Sequence, residues 1–155
     1  MNQDFKELLQ VFAELDVEYL IAGGYAVIFH TQPRYTKGLD LWIKPSPENA
    51  KRLQRAFYKF DLPMVEVSVD DFAQEGIQFS VGVEPCCLDF LTTIPGLAFD
   101  EAWRNKVTET SLGFPVHYVG MKDMKTAKRT AGRLVDLADI EELERAEKAN
   151  SNNQK

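Results

Sequence analysis

Two glycines and two aspartates, far apart along the chain, have the most chemistry to offer. Gly23-Gly24 follows the apolar run Tyr19-Leu20-Ile21-Ala22 and precedes the apolar, helix-length run from Tyr25 to His30. A double glycine at such a junction lets the backbone take φ > 0 or approach another group closely. Its N–H groups would point outward at a helix N-terminus, which suits a phosphate, although an ordinary strand-to-helix turn uses the same residues. Asp40 stands between Leu39 and Leu41, and period-2 alternation turns its side chain away from both. A carboxylate on a strand otherwise built for burial is either held in a salt bridge or turn contact, or it is a metal ligand. Asp89, among Cys86, Cys87, Leu88, Phe90 and Leu91, carries the same burial cost. On its neighbours alone it reads equally well as an ion-pair member or as a ligand.

Gly-Gly after a strand, followed by Arg-x-Thr-x-Asp-x-Asp on the next, resembles the signature of the DNA polymerase β-like nucleotidyltransferases. The chain is most similar to small bacterial members near the toxin half of type IV (AbiE-like) toxin–antitoxin systems, from about Tyr19 to about Glu142. Arg34, Thr36 and Asp40 keep the pattern, but Gly38 stands where the family has its first aspartate. The resemblance implies a small mixed sheet with carboxylates on two neighbouring strands and the last two helices packed alongside. It implies two Mg²⁺ (or Mn²⁺) ions, about 4 Å apart, stabilising the attacking and leaving oxygens of an in-line displacement. Three carboxylates would hold them: two from the Asp-x-Asp strand and a third from a later strand, where Asp89 fits. The Thr92-Thr93-Ile94-Pro95-Gly96 run after Asp89 also looks like the family.

The same resemblance implies catalytic roles for Asp40, Asp89 and Lys128, with Asp40 and Asp89 as the metal ligands. Gly23, Gly24, Arg34, Thr36 and Lys37 would bind the phosphates of a nucleoside triphosphate, though a solvated loop charge describes Lys37 equally well. The acceptor would be a hydroxyl on RNA (a tRNA end), on a protein or on a small molecule. An operon-encoded protein partner is also implied. The stretch from Lys128 to Asp139 is similar to one that recurs in the family. Read structurally, Lys128 and Arg133 there would pair with Asp136 or Asp139 and fix the junction of two helices.

Gly38 removes one anionic ligand, so metal affinity and transfer rate are expected to fall sharply. Three readings stand open: a natural pseudo-enzyme that still binds nucleotide or a partner, an enzyme that recruits another carboxylate such as Asp70 or Asp71, or an introduced change. A non-catalytic binding module acting through protein contacts is the alternative from another class. His30 and His117 have no Cys or second His at ligand spacing, so a zinc site is not predicted. Ser68, Ser80 and Ser111 have no base that the sequence places beside them, so a hydrolase triad has no support.

The elements that must carry these groups follow from periodicity. Phe5, Leu8, Leu9, Phe12 and Leu15 predict an amphipathic helix from Asp4 to Leu15, with Asp4 and Glu7 as its capping box. Strands are predicted over residues 18–22, 38–44, 77–83, 86–92, 106–110 and 115–119. A buried helix over 25–30 ends before Pro33. Ser46 caps, and Pro47 opens, a helix running to Phe60. Val65 to Asp71 is ambiguous, with Asp70-Asp71 starting a short helix over Phe72-Ala73-Gln74. A short helix over 99–105 turns Trp103 inward. A basic helix starts at Met121, Gly132-Arg133 interrupts it, and a last helix covers 136–146. The polar tail from Lys148 is predicted to fray. Helices between the early strands and tight turns between the later ones give an α/β (α+β) domain with a mixed sheet.

One hundred fifty-five residues fit one domain, placed at 1–147 with the tail after it. Hydrophobic content of 45% and charged content of 27% are those of a globular protein. A net charge of −6 gives no global attraction to nucleic acid, so a polyanion would need a local basic patch. Cys86 and Cys87 are adjacent, a poor geometry for a disulfide, and predict reduced thiols in a cytoplasmic protein. Asp4 and Glu7 precede any apolar run, so no signal peptide is predicted. No apolar run approaches the roughly 20 residues that span a bilayer, so no membrane partner is expected.

Overall fold

A computed structural model describes residues 1–62 and 67–153. Six strands form one mixed sheet in the order β3-β4-β2-β1-β6-β5. They are β1 (Tyr19–Ala22), β2 (Gly38–Ile43), β3 (Gln78–Val81), β4 (Cys87–Leu91), β5 (Val107–Glu109) and β6 (Val116–Tyr118). Helices flank the sheet, an α+β architecture. In chain order they are α1 (Gln3–Glu14), α2 (Gly23–His30), α3 (Pro47–Phe60), α4 (Val69–Phe72), α5 (Phe99–Arg104), α6 (Met121–Ala131) and α7 (Leu134–Asn153). Residues 63–66, where the ambiguous stretch begins, lie outside the described residues.

Alternation along the strands divides the sheet into two faces. Leu39 and Leu41 of β2 stand in register with Leu88 and Phe90 of β4. This face is covered by α1, α3 and α4: Phe57 meets Phe90 edge-on at 4.8 Å between ring centroids and Phe72 at 6.0 Å, while Phe12 tilts onto Tyr19 at 5.2 Å. Phe5, Leu8, Leu9 and Phe12 are buried along one stripe of α1. Each contributes about 1.5–3 kcal/mol of burial. The opposite face carries Gly38, Asp40 and Trp42 from β2 and Cys87 and Asp89 from β4. Trp42 packs edge-on against Phe99 of α5 at 5.1 Å, closing one end of that face and leaving the aspartate end open.

The helix ends depart from expectation where side-chain chemistry is local. Asn2, not Asp4, caps α1, accepting from the Phe5 N–H at 2.8 Å. Ser46 caps α3 and Pro47 opens it, as the sequence predicts. Ser68 and Asp71 form a reciprocal capping box that starts α4 at Val69, one residue before Asp70, and the helix ends at Phe72 without reaching Gln74. Helix α2 buries only Ala26 and Val27 fully; Phe29 stacks on Tyr118 of β6 at 4.1 Å and is partly buried. Helix α7 runs on to Asn153, past the polar composition from Lys148 that predicts a frayed tail.

Candidate functional site

The parallel register of β2 and β4 pairs Gly38 with Cys87 and Asp40 with Asp89. The two aspartates therefore share one face and one level, separated by the spacing of adjacent strands, about 4.8 Å. Antiparallel pairing of β1 with β2 sets Ala22 opposite Asp40 and so brings the Gly23-Gly24 turn against the same carboxylate. Gly23 has φ +61°, and a Cβ built on it would overlap Asp40 Oδ2. The glycine thus serves the close approach of Asp40 to the positive end of α2. Gly24 makes room for Thr36, whose Oγ1 would lie 2.5 Å from any Cβ placed there. Thr36 Oγ1 in turn donates to the Gly38 carbonyl at 3.1 Å, holding the approach to β2.

Gly24, Arg34, Thr36, Lys37, Asp40 and Asp89 border one open cleft of about 350 Å³, with Tyr35 and Gly38. A second cleft of about 390 Å³, on the β3 side, also borders on Asp40 and Asp89 and is otherwise walled by uncharged residues including Gln78 and Thr93. The carboxylate pair is the ridge between them. Burial, then the neighbouring charge and hydrogen bond of Asp89, push Asp40 up to about 7, against the opposing pull of Lys128. Ser80, paired with Asp89 across the β3–β4 ladder, donates its hydroxyl to Asp89 Oδ1. Cys87 Sγ lies 3.8 Å from the same oxygen, and burial followed by the Asp89 charge raises its thiol.

Position 38 has no room for a side chain. A Cβ there would overlap the Cys87 carbonyl oxygen and stand 2.9 Å from Cys87 Cβ. Recruitment of Asp70 or Asp71 has no geometric support. Both lie on α4, which packs behind the sheet, and the Asp71 carboxylate accepts from the Ser68 N–H at 2.8 Å.

The basic residues are mostly committed elsewhere. Arg34 makes a two-pronged contact with Asp139 of α7, at 2.5 and 3.3 Å. Lys128 of α6 reaches Asp139 at 3.0 Å and Asp136 at 3.5 Å. Arg133 closes on Asp136 at 2.7 Å. Asp136 and Asp139 are 1% and 2% exposed. Burial works to raise Asp139, but hydrogen bonds from Arg34 and Lys128 together hold its carboxyl below the ordinary range. The Arg133 side chain, with its backbone N–H, does the same for Asp136 against a smaller burial effect. Lys37 is exposed and faces Glu84 at 3.8 Å. Arg34 and Lys128, to which the resemblance gives roles at a triphosphate, thus fasten α6, α7 and the 31–37 loop together, whereas Lys37 stays solvent-facing.

The sequence places no partner beside Ser80, because its contact with Asp89 is set by the hairpin register rather than by any motif. Asp139 is visible as a candidate partner for Lys128 and Arg133, but its pairing with Arg34 spans more than a hundred residues and has no local signal.

An oxygen-only donor pair that is short of countercharge suits a hard divalent cation, which commonly takes one or two carboxylates and completes its shell with water and phosphate oxygens. The fit is to one ion. Among the described residues no group of three or more His, Cys, Asp or Glu is arranged to hold a metal. No protein-family model and no curated protein matches this chain. No helix among the described residues is long and apolar enough to cross a membrane.

Proposed function

We propose that this chain is a nucleotidyltransferase-like protein that binds a nucleoside triphosphate through one divalent cation, Mg²⁺ or Mn²⁺, held by Asp40 and Asp89. Nucleotide transfer to an RNA, protein or small-molecule hydroxyl is weak or lost. The observation that carries this reading is the Asp40–Asp89 register pair standing beside the Gly23-Gly24 turn. Two carboxylates facing a polyanionic triphosphate repel it unless a cation stands between them. The paired state of Arg34 and Lys128 strengthens the requirement, since neither brings uncommitted charge to the phosphates. A two-metal displacement needs ligands for a second ion, and the closed position 38 withholds one. Two free thiols, one of them exposed, suit a reducing, cytoplasmic setting.

Titration calorimetry with ATP, with and without Mg²⁺ or Mn²⁺, tests the binding step. Expected is binding that requires the metal and disappears in Asp40→Asn and Asp89→Asn. Binding that is indifferent to the metal, or that survives both substitutions, would overturn the reading. Turnover of ATP with a hydroxyl acceptor by the Gly38 protein would overturn the loss of transfer.

A second reading, a binding module acting on a protein partner as in a toxin–antitoxin operon, is favoured by one feature. Leu134, Val135 and Leu137 are exposed together where α7 begins. That reading requires no metal-dependent nucleotide binding, so the same calorimetry separates the two.

A further inference from the structure

We infer that Tyr35 is the platform on which the nucleobase stacks, so that the ligand of the site is a nucleotide and not a bare polyphosphate. The inference rests on the metal–triphosphate reading above and adds the part of the ligand that the carboxylates do not touch. Tyr35 is 70% exposed, and it borders the same cleft as Asp40 and Asp89. Exposure alone would mean little: Tyr58 is 88% exposed on the outer side of α3 and borders no described cleft. Tyr35 differs in being placed and tethered. Its hydroxyl donates to Glu84 Oε2 at 3.2 Å, across from the loop that precedes β4. The ring is thereby held by its edge, and it stacks on no other aromatic among the described residues.

The reach is right. From Tyr35 to Asp40 is at most roughly 17 Å of extended chain, so the two stand no farther apart than a base, a ribose and three phosphates can bridge. Lys37, between the two, is the exposed cation along that path. Stacking on an aromatic face is tolerant of base identity, because every base offers a π-face. ATP and GTP are therefore expected to bind within a few-fold of each other.

The experiment compares ATP with inorganic tripolyphosphate, each with Mg²⁺, by calorimetry on the full chain. Wild-type protein should bind ATP more tightly than tripolyphosphate. Tyr35→Ala should weaken ATP by about 5- to 30-fold and leave tripolyphosphate within about two-fold, erasing the difference between them. Tyr35→Phe, which keeps the ring and loses the Glu84 tether, should weaken ATP by less than Tyr35→Ala does and leave tripolyphosphate unchanged. Equal loss for both ligands, or no loss for ATP, overturns the assignment of Tyr35. Wild-type protein that binds tripolyphosphate as tightly as ATP overturns it too, while leaving the metal–phosphate site standing. Wild-type protein that binds neither removes the site and the platform together. Thermal unfolding of each variant confirms that an exposed loop substitution has left the fold intact.

Discussion

Asp40 holds its proton more tightly in the folded chain than an ordinary carboxyl does, near 7 instead of 3.8, through burial and the charge of Asp89. Between those two values the native state binds more protons than the unfolded state. Stability therefore falls as pH rises from about 4 to about 7 and levels off above, the reverse of a salt-bridged aspartate. In metal-free buffer, Asp40→Asn should gain about 1–3 kcal/mol at pH 8 and close to nothing at pH 4.5. Urea unfolding at the two pH values measures this, and an equal effect at both would show that charge is not the cause. Gly38 makes the converse case, in which adding a group costs. The Cys87 backbone fills the place of any Cβ there, so Gly38→Ala should destabilise by about 2 kcal/mol or more, as overpacking does. Gly38→Asp should cost at least as much, because it adds a third carboxylate beside two that already repel. An aspartate at position 38, as the nucleotidyltransferases that the sequence resembles carry there, is accordingly expected to yield a less stable protein, not an active one. A stable Gly38→Asp variant that transfers nucleotides would refute the closed-pocket argument.

At the scale of elements, the junction of α6 and α7 is held by ions as much as by hydrocarbon. Asp139 is buried and shared by Arg34 and Lys128, so removing it strands Arg34, on the loop that borders the cleft, and leaves Lys128 only its longer contact with Asp136. Breaking a buried pair from one side costs about 3–5 kcal/mol. Asp139→Ala should lose that much in urea unfolding, whereas Glu14→Ala, which removes an exposed partner of Lys59, should lose less than about 1 kcal/mol. Comparable losses would mean that the buried network is ornamental. The same contrast explains what could be read from sequence. The start of α3 was legible because Ser46 and Pro47 act on their own helix. The six strands were legible from alternation and turn residues, to within one or two positions at each end. The α1 cap was misplaced because Asn2 and Asp4 are both able to cap, and only geometry chooses. The commitment of Arg34 to Asp139 was not legible at all, since nothing near Arg34 announces a partner on the last helix.

For the molecule as a whole, the site is a seam between distant parts of the chain: the turn into α2, the middle of β2 and the middle of β4, with α6 and α7 bracing it from one side. Asp40 and Asp89 could be picked out individually as carboxylates in apolar strands. Their meeting depended on the parallel β2–β4 pairing, a crossover that no local pattern encodes. A ligand that bridges such a seam binds the native chain and not the unfolded one, so it must raise global stability. At a free concentration 100-fold above its dissociation constant, the gain is about 2.7 kcal/mol. For a domain of this size that corresponds to a shift in Tm of roughly 5–11 °C. MgATP at saturation is expected to produce a shift of that order, whereas ATP in EDTA is expected to produce little, because the uncompensated carboxylates oppose it. In Asp40→Asn the MgATP shift should vanish even though the metal-free protein melts higher than wild type at pH 8. That opposition of signs, a more stable protein that no longer responds to ligand, distinguishes a lost cation site from general damage to the fold. A shift retained in Asp40→Asn, or one produced equally by ATP in EDTA, would locate the nucleotide away from the β2–β4 seam.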